Sequence, residues 1–417
     1  MKRKVFISLL CMLFCIKGFS MQNENESIKR MGNADVISFD EDWSFMRYGL
    51  QADGTSLPEP SGLEKPDADD SGWRKLDLPH DWAIEGPFRI ELEGGTGKLP
   101  YQGIGWYRKR FVPEQKEGER TYIDFDGAMA NAQVWLNGRY VGTWPYGYNS
   151  FRLDLTPYIK SGKENILAVR LDTEKLGSRW YSGAGIYRHV WLVQTKPVHV
   201  AHWGTYITTP EVSDHSAQVR TEITVENFEQ LPVQAKLITQ YSELDINDIP
   251  GKIVATTETT LDIHACSSGT TTVTANITDP KRWDIESPNR YLAQTKVIVD
   301  DSIMDTYNTP FGIRTIDFSV RNGFLLNGRK VDIKGVCNHH DLGSLGAAMN
   351  KSALKRQLVI LQEMGCNSIR TSHNPPAPEL LELADKMGFV VADEAFDAWQ
   401  RGKRKNDYSR IYNDWNE

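Results

Sequence analysis

Two different spacings of apolar residues divide this sequence near residue 318. From about residue 36 to residue 315, short runs alternate apolar and polar residues, with Gly, Pro, Asn and Asp between them. That pattern is typical of β-strands joined by turns. Beyond residue 318, stretches with helical spacing lie between short apolar strands. The sequence therefore predicts a long β region followed by an α/β region.

The first part of the β region, residues 36–197, combines short strands with many Trp and Tyr residues. Val134 and Leu136 alternate with polar neighbours, and the Asn137-Gly138 pair that follows is a strong signal for a two-residue hairpin turn. We predict a jelly-roll β-sandwich. Most of its aromatic residues are expected to pack in the core, and the remainder, in loops, are available to stack on sugar rings.

The second part, residues 198–315, keeps the strand pattern but has few aromatic residues. Val219, Thr221, Ile223 and Val225 show its period of two. Strands of this length and interval predict an immunoglobulin-like β-sandwich. Since it shows no cluster of reactive side chains, we expect it to serve as a spacer or clamp.

The last part, residues 318–417, changes to a β-α-β-α-β order. A strand is predicted at 330–336, and the first helix is predicted to begin after Asn350 and to end at Gly365. A second strand, a second helix ended by Gly388 and a third strand follow. This order requires parallel strands, so a doubly wound sheet and the first three βα units of a (β/α)8 barrel both satisfy it.

A polar segment follows each of the three predicted strands: "CNHHDLG", "RTSHNPP" and "DEAFDAW". Working groups of parallel α/β folds lie just past the C-terminal ends of the strands, so the three segments predict one shared site. For Asp393 and Glu394 the structural alternative is an ion pair with Arg370. His339 and His340 point to opposite sides of an extended chain, which disfavours a zinc site.

Composition and charge exclude several classes of partner. The net charge of −7 disfavours nucleic acids and anionic membranes. No segment after the N-terminus has the roughly 18 apolar residues of a transmembrane helix. Cys266, Cys337 and Cys366 form neither a disulfide framework nor a metal motif, and we expect them to be buried thiols.

The N-terminus, residues 1–20, has the layout of a secretory signal peptide. Basic residues precede a short apolar stretch, and small residues follow it. We therefore predict an exported protein, periplasmic or extracellular. A membrane anchor, with lipid attached at Cys11 or Cys15, is the alternative.

Several ordered motifs resemble glycoside hydrolase family 2, most of all its exported β-galactosidases. They include "LPHDWAIEGPF", "VWLNGRYVGTW", "SGAGIYRHVWL", "FLLNGRKVDIKGVCNHHDLG", "NSIRTSHNPP" and "VVADEAFDAW". The resemblance covers roughly residues 36–417. It implies a sugar-binding jelly roll, an immunoglobulin-like domain and a catalytic (β/α)8 barrel, in the order that the patterning predicts.

The resemblance also implies residues that contact substrate. They come from the strand ends and from the loop at 177–185: Asn338, His340, Arg370, His373, Arg179 and Trp180. Asp393, a carboxylate at a strand end, joins them as a candidate. Asp397 falls near a position where some members have a Glu that binds magnesium, but Trp399 replaces the His that accompanies it there. We therefore predict no cofactor, with magnesium at Asp397 as the alternative.

The mechanism implied by the resemblance is retaining hydrolysis by two Glu residues, an acid/base and a nucleophile. In the family the acid/base follows Gly-Asn at the end of the fourth barrel strand, and only three such strands are predicted here. Trp415, rather than Gly, precedes Asn416 and Glu417. Both catalytic residues are thus expected beyond Glu417, and the chain alone is expected to be inactive.

The sequence and the resemblance together predict a hydrolase of terminal β-D-galactosides in the complete protein. Its expected partner is a β-galactoside oligosaccharide or polysaccharide, and a homo-oligomer is compatible with the sequence. A β-glucuronidase of the same family and a non-catalytic carbohydrate-binding protein are the alternatives.

Overall fold

A computed structural model describes residues 35–51 and 53–415 of the chain. The predicted signal peptide lies outside these residues. The described part forms two β-sandwiches, a small antiparallel sheet and three βα units. Within these ranges, no helix combines the length and the apolar character that crossing a membrane requires.

The first sandwich contains strands β1 to β11. They are β1 (Asp35–Ser38), β2 (Trp43–Leu50), β3 (Ser56–Leu57), β4 (Arg74–Leu76), β5 (Gly103–Phe111), β6 (Arg120–Phe125), β7 (Ala132–Leu136), β8 (Arg139–Trp144), β9 (Phe151–Asp154), β10 (Asn165–Thr173) and β11 (Val190–Thr195). One sheet has the order β1-β11-β6-β9, and the other has the order β3-β2-β5-β10-β7-β8, with β4 paired to β2.

The core of this sandwich confirms the jelly-roll prediction. Its two sheets enclose one cluster of apolar side chains that includes Trp43, Trp82 and Tyr107, each at most 1% exposed. Asn137 and Gly138 join β7 to β8, and both have positive φ, at 54° and 80°. These angles are those of a type I′ turn, whose twist matches that of the paired strands.

The second sandwich contains strands β12 to β18. They are β12 (Val198–Val212), β13 (Ser216–Asn227), β14 (Val233–Leu244), β15 (Pro250–Ile263), β16 (Ser267–Thr278), β17 (Arg290–Val299) and β18 (Ser302–Phe311). The sheets β12-β13-β16 and β15-β14-β17-β18 are antiparallel and pack face to face. The alternating residues named for β13 point inward, as an immunoglobulin-like sandwich requires.

The last part begins with an antiparallel sheet and continues as parallel βα units. Its elements are β19 (Ile316–Ser319), β20 (Gly323–Leu326), β21 (Arg329–Lys330), β22 (Gly335–Asn338), α1 (Lys351–Glu363), β23 (Ser368–Thr371), α2 (Pro378–Met387), β24 (Val390–Ala392) and α3 (Ser409–Trp415). The parallel order β22-β23-β24 is the start of the predicted barrel.

The predicted strand at 330–336 is wrong in position. Lys330 belongs to β21, and the parallel strand begins only at Gly335. Between them, Val331 packs in a cluster with Phe324 and Trp283. The residues at 330–336 are therefore divided between the end of β21, the cluster around Val331 and the start of β22. The spacing of apolar residues alone does not show this division.

The ends of the helices follow the predicted signals. The side chain of Asn350 accepts a hydrogen bond from the backbone N–H of Ala353 at 2.9 Å and so caps α1. Gly388 ends α2 in the left-handed conformation, with φ of 77°. A Cβ there would lie 2.0 Å from the carbonyl oxygen of Ile285 in the second sandwich, so the position requires glycine.

The three cysteines are free thiols, but the prediction that they are buried is wrong. Cys266 and Cys337 are exposed, and Cys366 is partly buried. Cys266 lies in the tight turn between β15 and β16, and Cys337 lies on β22. The sequence around these two cysteines did not indicate that they are exposed.

Candidate functional site

The parallel strands β22, β23 and β24 bring their C-terminal ends to one edge of the sheet. Asn338 is level with Thr371, and Arg370 is level with Ala392. The three polar segments of the sequence leave the sheet at this edge, which is where (β/α)8 barrels hold their active sites. The predicted shared site is therefore geometrically possible.

An open cavity of about 960 Å³ lies at this edge. Its polar lining combines His373 with cationic and anionic side chains, namely Arg179, Arg370, Asp393, Glu394, Asp397, Arg401 and Lys403. Four of the residues predicted to contact substrate are among them, namely Arg179, Arg370, His373 and Asp393. The first of these comes from the jelly roll, so two domains build the opening.

Glu394 organises the part of the opening that the barrel strands supply. Its carboxylate forms an ion pair with Arg370 and lies 3.1 Å from Nδ1 of His373. Asp393 instead accepts a hydrogen bond from Thr371 Oγ1 at 3.0 Å, and the same hydroxyl accepts from the backbone N–H of Glu394. The predicted ion pair with Arg370 therefore forms at Glu394 and not at Asp393.

A second group of charges joins the jelly-roll loop to the segment after β24. Nη2 and Nε of Arg179 lie 2.5 and 3.2 Å from the two carboxylate oxygens of Asp397, and Nζ of Lys403 lies 2.9 Å from one of them. Burial opposes ionisation of Asp397, but the two cations outweigh it and lower its pKa. The ion pairs hold the loop over the opening.

The same charges do not suit the magnesium alternative. Both carboxylate oxygens of Asp397 face cationic side chains, so a divalent ion would have to displace them. Across the described ranges, no three His, Cys, Asp or Glu side chains are placed to hold a metal together. The residues present do not fit this ion.

Trp180 packs behind the opening. Its ring centroid is 5.2 Å from that of His373 and 5.7 Å from that of His339, and its side chain is half-buried. Burial and the neighbouring His373 lower the pKa of His339. Trp180 thus packs against two imidazoles at the strand ends.

Asn338 and His340 lie away from the opening, at a separate pocket of about 30 Å³. His340 packs against Tyr148 and Tyr187, and its Nε2–H donates to the carbonyl oxygen of Ser182 at 3.0 Å. Burial, assisted by Arg188, lowers its pKa to about 3. The structure thus places His340 at the junction between domains.

Several residues that shape the site were not predicted. Arg401 and Lys403 line the opening from the segment after β24, and no motif of the sequence marked them. Asp81 lies 2% exposed beneath the jelly-roll loop and accepts hydrogen bonds from Tyr181, Ala184 and Ala347. The "PHDW" segment around it was a visible motif, but its contact with residue 347 requires the fold.

Family models match three consecutive parts of the chain. The model described as "Glycosyl hydrolases family 2, sugar binding domain" matches residues 96–197, "Glycosyl hydrolases family 2" matches 198–314, and "Glycosyl hydrolases family 2, TIM barrel domain" matches 318–413. Their order is that of the two sandwiches and the parallel units.

Named relatives and solved structures agree with these matches. The β-galactosidase BoGH2A of Bacteroides ovatus is 47% identical, over 91% of this chain and 43% of its own length. A β-glucuronidase of Bacteroides fragilis is 28% identical, over 76% of this chain and 46% of its own length. The crystal structure of a glycosyl hydrolase family 2 member from Bacteroides cellulosilyticus superposes with a TM-score of 0.84 at 36% identity, covering 91% of this chain and 48% of that one.

The chain spans less than half the length of these relatives. Within that span, three successive family models and relatives over most of the chain agree on one architecture. The chain therefore belongs to glycoside hydrolase family 2.

Proposed function

We propose that the whole protein containing these residues removes terminal β-D-galactosyl residues from neutral oligosaccharides or polysaccharides. The pairing of charges at the opening carries this proposal. Arg370 binds Glu394, and Arg179 and Lys403 both bind Asp397. Because carboxylates already neutralise these cations, the opening favours an uncharged sugar over a uronic acid. The 47% identical β-galactosidase supports the same substrate.

In this proposal the chain supplies part of the pocket for the terminal sugar. Arg370 and His373 offer N–H donors to sugar hydroxyls, and Asp393 offers an acceptor. Trp180 keeps His373 in place, and His340 supports the loop from the domain junction. The two catalytic carboxylates, separated by about 5 Å in a retaining enzyme, are proposed to lie beyond Glu417. Glu417 itself is outside the described residues.

A β-glucuronidase is the second candidate. Arg401 lines the same opening and is exposed, so its guanidinium is accessible to the carboxylate of a uronic acid. The β-glucuronidase of Bacteroides fragilis, at 28% identity, also favours this candidate.

Hydrolysis by the product of the whole reading frame tests both candidates. We expect release of nitrophenol from 4-nitrophenyl β-D-galactoside and none from the matching β-D-glucuronide. The 417-residue chain should release none, and it should be indistinguishable from its Glu417→Gln variant. Preferential hydrolysis of the glucuronide, lost in Arg401→Gln, would establish the second candidate instead. A whole protein that binds galactosides without cleaving them would indicate the non-catalytic alternative.

We also propose that the protein is exported, from the signal-peptide pattern of residues 1–20. The mature protein should be recovered from the periplasm or the medium with its N-terminus near residue 21. Recovery in a membrane pellet, with a lipid on Cys11 or Cys15, would support the anchor instead.

A further inference from the structure

A second cavity lies where the three domains meet. Its volume is about 470 Å³, within the usual range for sites that bind small molecules. The β1-β11-β6-β9 sheet of the jelly roll forms one wall, and strands β12 and β18 of the second sandwich form another. The N-terminal turn of α2 closes the third side. We call this cavity the junction crevice.

Trp203 of β12 presents an aromatic surface to the junction crevice. It is 66% exposed, and its ring is stacked on His202 with centroids 4.8 Å apart. Its φ is +55°, a conformation that bulky residues rarely adopt, and the pairing of β12 with β13 shifts register between Val200 and Thr205. Such irregularities re-aim side chains and recur next to binding sites. A flat, exposed indole is suited to stack on the C–H face of a sugar ring.

Glu379 supplies an acceptor with no hydrogen-bond partner. It is 8% exposed and lies at the start of α2, where it lines the junction crevice. Its Oε2 is buried without a partner, while Oε1 lies 3.8 Å from Nε2 of His189. A buried, unpartnered carboxylate oxygen is costly, so a ligand hydroxyl that donates to it would be favoured. Burial and the nearby Asp126 raise the pKa of this carboxyl.

The charges around the junction crevice select against anions. Five carboxyl groups line it, those of Asp124, Asp126, Asp305, Glu379 and Glu382, and burial raises the pKa of two of them, Asp305 and Glu379. The guanidinium groups of Arg152 and Arg188 also line it. Arg152 is already bound to both oxygens of Asp124, and Arg188 donates to backbone carbonyls. A uronic acid or phosphate would therefore meet carboxyl groups and no unpaired guanidinium. A neutral molecule rich in hydroxyls meets acceptors instead.

We propose that the junction crevice is a second, non-catalytic binding site for a neutral saccharide, with Trp203 stacking on the sugar ring and Glu379 accepting from a hydroxyl. This site goes beyond the proposed hydrolysis and does not depend on it, since binding there requires no turnover. It would hold a glycan chain against the enzyme while the barrel acts on its ends.

Calorimetry on the purified chain tests the site with three probes: β-1,4-galactotriose, cellotriose and trigalacturonic acid. We expect at least one neutral trisaccharide to bind and the acidic one not to bind. Trp203→Ala should weaken that binding about tenfold or more, as loss of a stacked ring would. Tyr206→Ala is the matched control, because Tyr206 lies on the same strand, is 67% exposed and does not line the crevice. The Tyr206→Ala variant should bind the neutral trisaccharide with the affinity of the wild type.

Two further variants keep the test decisive. Glu379→Gln preserves the shape of the side chain but replaces an acceptor, and it should weaken binding about threefold or more. Arg370→Gln alters only the barrel opening, so the part of the binding that Trp203→Ala removes should persist in this variant. The proposal fails if neither neutral trisaccharide binds, if Trp203→Ala and Tyr206→Ala behave alike, or if Arg370→Gln removes the same part of the binding as Trp203→Ala. These results are separate from hydrolysis, so the crevice and the proposed enzyme can fail independently.

Discussion

Replacing Asp81 tests whether the jelly roll and the barrel units are joined by one buried carboxylate. Oδ1 accepts hydrogen bonds from the N–H groups of Ala83 and Ala184, at 3.0 and 2.9 Å. Oδ2 accepts from the N–H of Ala347 at 2.8 Å and from the hydroxyl of Tyr181 at 2.5 Å. Three separate segments thus depend on one side chain that is 2% exposed.

The magnitudes follow from counting the donors left without a partner. In Asp81→Asn, the more favourable amide orientation places the amide oxygen where Oδ1 was, so it still accepts from the N–H groups of Ala83 and Ala184. The amide NH₂ then replaces Oδ2, and the Tyr181 hydroxyl can turn to accept from it. The amide NH₂ then faces the N–H of Ala347, and this unpaired donor should cost about 2 kcal/mol of the free energy of unfolding. Asp81→Ala leaves three N–H groups unpaired and should cost about 4 kcal/mol. Tyr181→Phe removes one hydroxyl and should cost about 1 kcal/mol.

Urea denaturation followed by tryptophan fluorescence measures this series on the purified chain. The expected order of destabilisation is Asp81→Ala, then Asp81→Asn, then Tyr181→Phe. A change below about 0.5 kcal/mol for Asp81→Asn, the range of ordinary surface substitutions, would refute the reasoning. So would a cost for Tyr181→Phe equal to that of Asp81→Ala, because the hydroxyl would then account for the whole effect.

Three further predictions concern single positions. The folded chain holds His340 neutral, with its pKa lowered to about 3, whereas the unfolded chain binds the proton near 6.5. The free energy of unfolding should therefore fall by about 1 to 2 kcal/mol between pH 6.5 and pH 5. Urea titrations at each pH measure this fall, and His340→Gln should lack it. Asn350→Ala should cost about 1 kcal/mol through the lost cap, and Asn350→Asp should restore it. Gly388→Ala should lower the melting temperature more than Gly365→Ala, because both have positive φ but only the former meets a backbone oxygen, that of Ile285.

Much of the architecture could be predicted because its determinants are local. The type I′ turn at Asn137-Gly138, the cap at Asn350 and the end of α2 at Gly388 each depend on residues within one turn of the chain. The parallel order of β22, β23 and β24 followed from the alternation of strand and helix. The strand predicted at 330–336 failed where local pattern was ambiguous, since Val331 belongs to a different cluster.

The candidate site was only partly predictable, because its geometry combines residues that are distant in sequence. The strand ends pointed to Arg370, His373 and Asp393, and these do line the opening. The pairing of Arg179 with Asp397 spans 218 residues, and nothing in either segment indicated the other. His340 was expected with the substrate, but its neighbours from the jelly roll place it at the domain junction.

By itself the sequence determined the three-part architecture, the family and the strand ends at which chemistry is to be expected, because periodicity and turn chemistry act over a few residues. Only the tertiary structure decided which charges at the opening are already paired, that Asp81 joins two domains, and that Trp203 and Glu379 face one crevice. Burial and charge pairing are properties of neighbours in space, and residues far apart in the chain become neighbours only when the domains pack.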